Sequence, residues 1–238
     1  DQEEVAKMFQ RYDLISMPVV DRENRLVGRI TIDDIVDVIE EEMFEDFYKM
    51  ANLNVDERVL DEPMRSFKLR VPWLLINLAT AFLAASVVKI FEGTIETLVI
   101  LAVLMPIVAG MGGNAATQAI TVVTRGLALG ELDLRHAKRV LLKEATVGFM
   151  NGVVTGAGAC VVAYLLGANI MIGVLLFLAM TVNLAIAGIS GATIPLLLKR
   201  FGFDPAVSSS IFVTTCTDIG GFFTFLGLAT VFLKIGLI

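Results

Sequence analysis

The sequence predicts a mostly α-helical protein with a five-helix transmembrane domain, preceded by the end of a cytosolic α/β domain and a connecting helix. Its residues are 56% hydrophobic and its mean hydropathy is +0.76, above the usual level of a soluble domain. Charge is divided along the chain: residues 1–62 carry 18 acidic and 7 basic side chains, whereas residues 63–238 carry 7 acidic and 12 basic ones. We therefore predict the α/β part over 1–40, the connecting helix over 41–66 and the transmembrane domain over 67–238.

The first 50 residues show a strand–turn–strand–helix pattern. Two short apolar segments, Pro18–Asp21 and Arg25–Thr31, are joined by a polar turn and predict a pair of strands. Thr31 or Asp33 can cap a helix that begins near Ile32. Apolar residues then recur at spacings of three and four and form a stripe along one face of this helix.

The other faces of the predicted helix are strongly acidic. Three pairs of carboxylates stand four residues apart, Asp33–Asp37, Asp37–Glu41 and Glu41–Glu45, and each such pair costs about 0.2–0.5 kcal/mol. Two interpretations stay open from charge alone. The helix is a solvated surface, or it is a surface completed by divalent cations, which prefer carboxylate oxygens.

Four uncharged runs predict five membrane spans. They cover Val71–Val88, Thr97–Thr124, Ala145–Leu198 and Val207–Leu233. A span needs about 20 residues, so the third run holds two helices, with the turn expected at 166–169.

Basic residues mark one side of the membrane. They precede the first span and fill the second-to-third and fourth-to-fifth connectors: Arg65, Lys68, Arg70, Arg125, Arg135, Lys138, Arg139, Lys143, Lys199 and Arg200. The positive-inside rule then predicts a multi-pass protein of the cell (inner) membrane, with a cytoplasmic N-terminus and a C-terminus outside.

The second span contains features that weaken a helix. Pro106 is followed by three glycines, Gly110, Gly112 and Gly113, and we expect a kink or break there. Polar residues follow at helical spacing: Asn114, Thr117, Gln118 and Thr121. Glycines alone favour tight helix packing, but glycines joined to this stripe favour a polar pathway, because broken helices at membrane depth line water-filled cavities.

Asp218 is the only charged residue between Val207 and Leu233. An ionisable group at the centre of a bilayer costs roughly 2.5 kcal/mol or more, so it predicts a functional site; the alternative is a neutral or hydrogen-bonded structural aspartic acid. On a helix four other residues share its side: Ser210, Thr214, Thr217 and Gly221. Two copies related by a two-fold axis would supply two negative charges to a Mg²⁺ ion that keeps its water shell.

Three stretches together resemble the MgtE family of magnesium transporters. They are MPIVAGMGGNAATQAITVVTRGLALGELDL, DPAVSSSIFVTTCTDIGG, and the acidic DDIVDVIEEE ahead of the spans. The first 50 residues resemble the end of the second CBS domain of that family and the start of its connecting helix. The resemblance implies a homodimer with five helices per subunit and a pore along the dimer axis, lined by the second and fifth helices.

The resemblance also assigns residues. An ion site at Asp218 would include neighbours on the same two helices: Thr214, Gly113 and Asn114. The pore-lining set, taken with the shared side of the fifth span, is Thr117, Thr121, Ser210, Thr217 and Gly221. Ligands for regulatory Mg²⁺ would be Asp13, Asp34, Asp37, Glu42 and Glu45. Thr31 and Asp34 match a T-x-x-D pattern with which some CBS domains hold ribose, which makes ATP a candidate ligand.

The leading hypothesis is a channel-like Mg²⁺ transporter gated by cytosolic Mg²⁺, with a second copy of the chain, membrane lipid and divalent cations as partners. A proton- or sodium-coupled divalent cation transporter that uses Asp218 as a titrating relay is the alternative. A third hypothesis is a membrane anchor that displays a CBS module. No enzyme is predicted, because no nucleophile–base pair or phosphate-binding motif occurs, and the acidic cytoplasmic part disfavours nucleic-acid binding.

Overall fold

A computed structural model describes residues 2–207 and 209–238 of the chain. Two strands and eight α-helices follow one another in these residues, with a 3₁₀ turn at Leu134–His136. They are α1 (Gln2–Tyr12), β1 (Ser16–Val20), β2 (Leu26–Thr31), α2 (Ile32–Met50), α3 (Pro63–Ile90), α4 (Glu92–Thr97), α5 (Ile100–Ala128), α6 (Ala137–Leu165), α7 (Ile170–Arg200) and α8 (Ser209–Lys234).

The N-terminal unit is a small α/β structure. Strands β1 and β2 pair antiparallel, from Ser16 opposite Thr31 onward, and the predicted strand pair and following helix are confirmed. Helix α1, which we did not predict, packs on α2 through a core of Ala6, Phe9 and Ile35. This small core fixes the position from which α2 leaves the unit.

Helix α2 continues without a break from the α/β unit through residue 41 to Met50. Asn52 then adopts a left-handed conformation with φ of 57°, which an asparagine tolerates better than most residues and which stops the helix. The segment predicted as a connecting helix, 41–66, is therefore helical only to Met50 and again from Pro63.

The predicted five spans are confirmed: α3, α5, α6, α7 and α8 are long and apolar enough to cross a membrane. The turn expected between the third and fourth spans is also found, because α6 ends at Leu165 and α7 begins at Ile170. Asn169 caps α7 by accepting a hydrogen bond from the backbone N–H of Met171 over 3.0 Å.

Helix α7 is the centre of the membrane domain. It packs along α6, α5 and α8, and it is the most buried of the five spans. Glycines on α6 permit the closest approach: a Cβ on Gly148 would lie 2.2 Å from the carbonyl oxygen of Leu184, and one on Gly152 2.6 Å from the Cα of Thr181. Such small-residue contacts replace the hydrophobic driving force that lipid does not supply.

Helix α3 stands at the edge of the domain. It packs against α8, and Ala84 is the one residue of its described length that is buried. Its apolar side chains therefore face outward, toward lipid or another chain.

The interruption expected in the second span is absent. Helix α5 runs unbroken through Pro106, Gly110, Gly112 and Gly113. Gly112 packs closely against Asn183 of α7 and Thr217 of α8, and this packing holds the segment as a helix although glycines weaken a helix in isolation. The prediction of a break was wrong, whereas the polar stripe that follows it lies on a regular helix.

Candidate functional site

The fifth membrane helix meets the second one close to Asp218. A Cβ on Gly112 of α5 would lie 3.3 Å from the Cβ of Thr217 on α8. The residues that follow these two, Gly113 and Asp218, therefore stand at the same level on neighbouring helices. Asp218 is partly exposed, and nothing lies within 4 Å of the position of a Cβ on Gly113. The space next to Gly113 of α5 is therefore open at the level of Asp218 on α8.

A polar row continues from this opening along α5. Asn114, Thr117 and Thr121 are all exposed. The hydroxyl of Thr117 donates to the carbonyl oxygen of Gly113 over 3.0 Å, and that of Thr121 to the carbonyl oxygen of Thr117 over 2.7 Å. Each hydroxyl oxygen keeps lone pairs that can accept from water. We give the name polar face to these three exposed residues together with the partly exposed Gly113 and Asp218, that is, to Gly113, Asn114, Thr117, Thr121 and Asp218.

Two other predicted residues lie toward the start of α8. The hydroxyl of partly buried Thr214 donates to the carbonyl oxygens of Ser210 and Ile211 over 2.8 and 3.0 Å. The hydroxyl oxygen of Ser210 accepts a 2.7 Å hydrogen bond from Nδ2 of Asn52, in the loop after α2. The structure thus links the first turn of α8 to the loop that follows α2.

Thr217 and Gly221 do not belong to the polar face. Thr217 is fully buried and its hydroxyl donates to the carbonyl oxygen of Thr214 over 2.9 Å. A Cβ on Gly221 would lie 2.6 Å from Nδ2 of Asn183 on α7. Both residues pack within the subunit, Thr217 near Gly112 of α5 and Gly221 against α7. Helical spacing alone could not show which side of α8 its neighbouring helices would cover.

Asn183 was not predicted. It is the one amide side chain of α7, is fully buried, and donates a 2.9 Å hydrogen bond from Nδ2 to the carbonyl oxygen of Val108 on α5. Its isolation in a 31-residue apolar helix was the feature of the sequence that could have singled it out.

A second group of charges lies between α2 and the membrane domain. Nζ of Lys49 is 2.6 Å from Oδ2 of Asp204, in the connector between α7 and α8, and it also pairs with Glu45. A cavity of about 630 Å³ opens here, lined by carboxylates and lysines from both parts of the chain: Glu3, Lys7, Glu42, Glu45, Asp46, Lys49, Lys199 and Asp204. We call Glu42, Glu45, Asp46 and Asp204 the acidic cluster.

Burial and mutual repulsion act on these carboxylates. Burial raises the pKa of Asp46, and the charges of Asp204, Glu3 and Glu45 raise it further, whereas Lys49 lowers it. Burial likewise raises the pKa of Glu42, with Glu45 as the next cause. The cluster therefore carries negative charge that the nearby lysines only partly offset.

The predicted regulatory residues are divided by the structure. Glu42 and Glu45 line the cavity, whereas Asp13, Asp34 and Asp37 are exposed and do not line it. The sequence prediction missed Asp46 and Asp204. No local pattern could have found Asp204, because only the tertiary fold brings the α7–α8 connector to α2.

Family comparison agrees with both parts of the structure. Residues 105–228 match the family model described as "MgtE: Divalent cation transporter", and residues 1–41 match the CBS domain. The chain belongs to the MgtE family. The resemblance seen in the sequence is confirmed, and it extends over the polar face and into the α/β unit.

Three MgtE relatives, each named magnesium transporter MgtE, are similar along nearly the whole chain. The protein of Thermus thermophilus is 37% identical over 236 residues, that of Enterococcus faecalis 34% over 234, and that of Bacillus subtilis 34% over 233. Each match covers 98% of this chain and 51–52% of the relative. The chain thus spans about half the length of the curated MgtE relatives it matches.

The nucleotide residues expected for the CBS part of an MgtE chain lie at the start of α2. Asp34 accepts hydrogen bonds from the backbone N–H and the hydroxyl of Thr31 over 3.0 and 2.9 Å, and these bonds lower the pKa of Asp34. Both side chains therefore serve the helix N-terminus. Asp34 also lines an open cavity of about 460 Å³ with Gln2, Val5, Ile30, Ile35 and Val38.

Neither the polar face nor the acidic cluster of this MgtE chain forms a complete metal site within one subunit. Across residues 2–207 and 209–238, no three His, Cys, Asp or Glu side chains are grouped so that they could hold a metal ion. Within one subunit Asp218 is the one carboxylate of the polar face, and the carboxylates of the acidic cluster do not meet closely enough to form such a group.

Proposed function

We propose that two copies of this chain form a homodimer that conducts Mg²⁺ across the membrane, with a polar face from each copy lining the pore. The observation that carries the proposal is Asp218, a carboxylate within a membrane helix that is partly exposed and level with the open Gly113 position. An exposed anion in lipid is costly, so a water-filled path beside it is the arrangement that removes the cost. The relatives' names supply the ion.

Hydrated Mg²⁺ fits the chemistry of the polar face. Mg²⁺ gives up its water reluctantly and binds proteins through one or two carboxylates. Two copies of Asp218 would attract the ion by charge, while the amide of Asn114 and the hydroxyl oxygens of Thr117 and Thr121 would bind its water shell. Because no residue replaces all of the water, the ion is held weakly enough to leave.

The acidic cluster would control opening from the cytosolic side, with the N-terminus in the cytoplasm and the C-terminus outside. At low Mg²⁺ the carboxylates of α2 and Asp204 repel one another. A divalent cation in the cavity would screen this repulsion and hold α2 against the α7–α8 connector. The hydrogen bond from Asn52 to Ser210 offers the path by which the position of α2 reaches α8.

ATP binding at the CBS part belongs to the same proposal. The cavity beside Asp34 is open and partly apolar, which suits a nucleoside, and Thr31 and Asp34 would contact its ribose. Such binding would compete with the capping bonds within α2, so the nucleotide would act on the start of the helix whose far end contacts the membrane domain.

Flux into liposomes tests the proposed pore. Wild-type protein and Asp218→Asn would be reconstituted with a Mg²⁺-sensitive dye inside, with Glu131→Gln, an exposed loop residue, as the matched acid-to-amide control. We expect Asp218→Asn to lose at least about tenfold of the flux, as the removal of ~1.4 kcal/mol of stabilisation implies, and the control to retain it.

Two results would overturn the proposal. Wild-type flux through Asp218→Asn would remove the carboxylate from the pathway. Mg²⁺ accumulation that follows an imposed proton or sodium gradient, and not the Mg²⁺ gradient, would identify the coupled transporter instead.

A further inference from the structure

The amide of Asn183 lies where three membrane helices meet. It projects from α7 between glycines of the two helices that carry the polar face. A Cβ on Gly112 of α5 would lie 2.3 Å from Nδ2 of Asn183, and a Cβ on Gly221 of α8 would lie 2.6 Å from the same atom. The amide therefore fills a notch that only glycines on both sides leave open.

The notch stands directly behind the proposed ion site. Gly112 precedes Gly113 on α5. Thr217 of α8, which lies next to Gly112, precedes Asp218. Any change in the size of the group in the notch must therefore move Gly113 and Asp218 relative to one another. Packed helices are not compressible enough to absorb such a change locally.

The amide of Asn183 contacts α5 and α8 in different ways. Nδ2 donates to the carbonyl oxygen of Val108, which ties α7 to α5. Oδ1 is buried and has no hydrogen-bond partner among the described residues, although a Cβ on Gly221 would lie 3.0 Å from it. The contact between Asn183 and α8 is therefore van der Waals packing without a hydrogen bond. A residue that served packing only would not need to bury an unpaired carbonyl oxygen, which is a costly group.

We infer that Asn183 is a positioning residue that sets the distance between α5 and α8, and thereby the discrimination of the pore between Mg²⁺ and other divalent cations. The inference rests on the proposed function. Asn183 lies behind the wall of the pathway and acts through Gly112 and Gly221. It fixes α5 by a hydrogen bond, and its volume determines how closely α8, the helix with the carboxylate, approaches.

Relative flux of Mg²⁺ and Ca²⁺ tests the inference. Ca²⁺ accepts flexible coordination and loses water more readily than Mg²⁺, so it reports a change in pore width. Asn183→Leu removes the hydrogen bond, and Asn183→Ala empties the notch. We expect both variants to change the Ca²⁺:Mg²⁺ flux ratio of the reconstituted protein by roughly tenfold, the factor that corresponds to ~1.4 kcal/mol.

Thr181→Val is the matched control. Thr181 is also a buried polar residue of α7, but its hydroxyl donates to its own helix and its backbone faces Gly152 of α6. The melting temperature of this variant can fall as much as that of the Asn183 variants, yet its flux ratio should equal that of the wild type. A structural role alone would move stability and leave the ratio unchanged.

The outcomes separate the two claims. No Mg²⁺ flux through the wild type would defeat the proposed function. Wild-type flux together with an unchanged ratio in Asn183→Ala would defeat the inference about Asn183. If Asn183→Leu does not assemble, Asn183→Ala and Asn183→Ser, which cannot clash with either glycine, decide the question by the same ratio.

Discussion

The polar face and the acidic cluster use carboxylates in opposite ways. Asp218 is the one charged residue in the apolar stretch between Val207 and Leu233, and its neighbours are neutral hydroxyls, an amide and glycines. The acidic cluster holds four carboxylates around a cavity of about 630 Å³ at the boundary between two parts of the chain. Under the proposed function, Asp218 attracts an ion without trapping it, whereas the acidic cluster brings together repelling charges that a bound ion would relieve.

This difference shows that the role of a carboxylate depends on whether it lies in a membrane helix or near water. In a membrane helix one anion already dominates its surroundings, because few other charges and little water oppose it. Near water each carboxylate is screened, so several must be combined before a divalent cation changes the energy of a conformation. We therefore expect that mutations can remove the proposed conduction and the proposed control separately.

Outside the membrane helices, the largest effect is expected when the acidic cluster loses charge. The double variant Glu42→Gln/Asp46→Asn removes two repelling carboxylates and the attraction for Mg²⁺. At cytosolic Mg²⁺ concentrations that close the wild-type pore, we expect flux to rise about tenfold, since ~1.4 kcal/mol of closing energy is lost. Flux measured at zero cytosolic Mg²⁺ should not rise, and it should fall to the extent that the lost repulsion had favoured the open pore.

Asp33→Asn/Glu40→Gln is the matched control for that prediction. It removes the same two types of charge from exposed positions on the same helix that do not line the cavity. A similar rise in flux in both double variants would show that net charge, and not the position of the cluster, controls opening.

Acid is expected to weaken the same control. The pKa values of Glu42 and Asp46 are raised, with burial as the first cause, so these carboxylates take up protons at a higher pH than exposed ones. Below the raised pKa values protons occupy the carboxylate oxygens that Mg²⁺ would bind, so Mg²⁺ must compete with protons. We expect the Mg²⁺ concentration for half-closure to be several-fold higher at acidic than at neutral pH, because a carboxylate ligand is then partly protonated.

A titration of closure at the two pH values measures this shift. The Glu42→Gln/Asp46→Asn variant should not show it, because its amides cannot titrate. A shift of equal size in that variant would assign the pH dependence to other groups.

A smaller effect is expected where the two regions are joined. Asn52→Ala removes the 2.7 Å hydrogen bond to Ser210, a bond worth about 0.5–1.5 kcal/mol. The Mg²⁺ concentration for half-closure should rise by a few-fold, while the maximal flux stays the same. Asn54→Ala, in the same loop but bonded only to the backbone N–H of Asp56, is the control that should leave closure unaffected.

The smallest effect is expected on the polar face. Thr121→Val keeps the shape of the side chain and removes one oxygen that can bind the water shell of the ion. We expect flux to fall about twofold, in line with the loss of one of several neutral hydrogen bonds. Thr146→Val on α6 provides the comparison, because its hydroxyl is also exposed and donates to its own helix, but it lies away from the polar face.

The sequence predicted what depends on composition along the chain. Five spans followed from uncharged runs, and Asp218 stood out because no other charge accompanies it. The strand pair and the start of α2 followed from alternation and from the cap at Thr31. These features are local, so they do not require knowledge of which helices are neighbours.

Features that depend on helix packing were missed or misplaced. Thr217 and Gly221 share a side of α8 with Asp218, but Thr217 is buried and meets Gly112 of α5, and Gly221 meets Asn183 of α7. Asp204 meets Lys49 although 155 residues separate them. The expected break after Pro106 did not occur, because α7 and α8 pack closely against Gly112 and hold the segment as a helix.

A structure of the dimer in Mg²⁺ tests the central claim most directly. The account predicts an ion on the two-fold axis between the Asp218 carboxylates, farther from their oxygens than the ~2.1 Å of direct Mg²⁺ ligation, with water between. A monomer, or a dimer in which Asp218 contacts only its own subunit or lipid and no aqueous path passes it, would contradict the account.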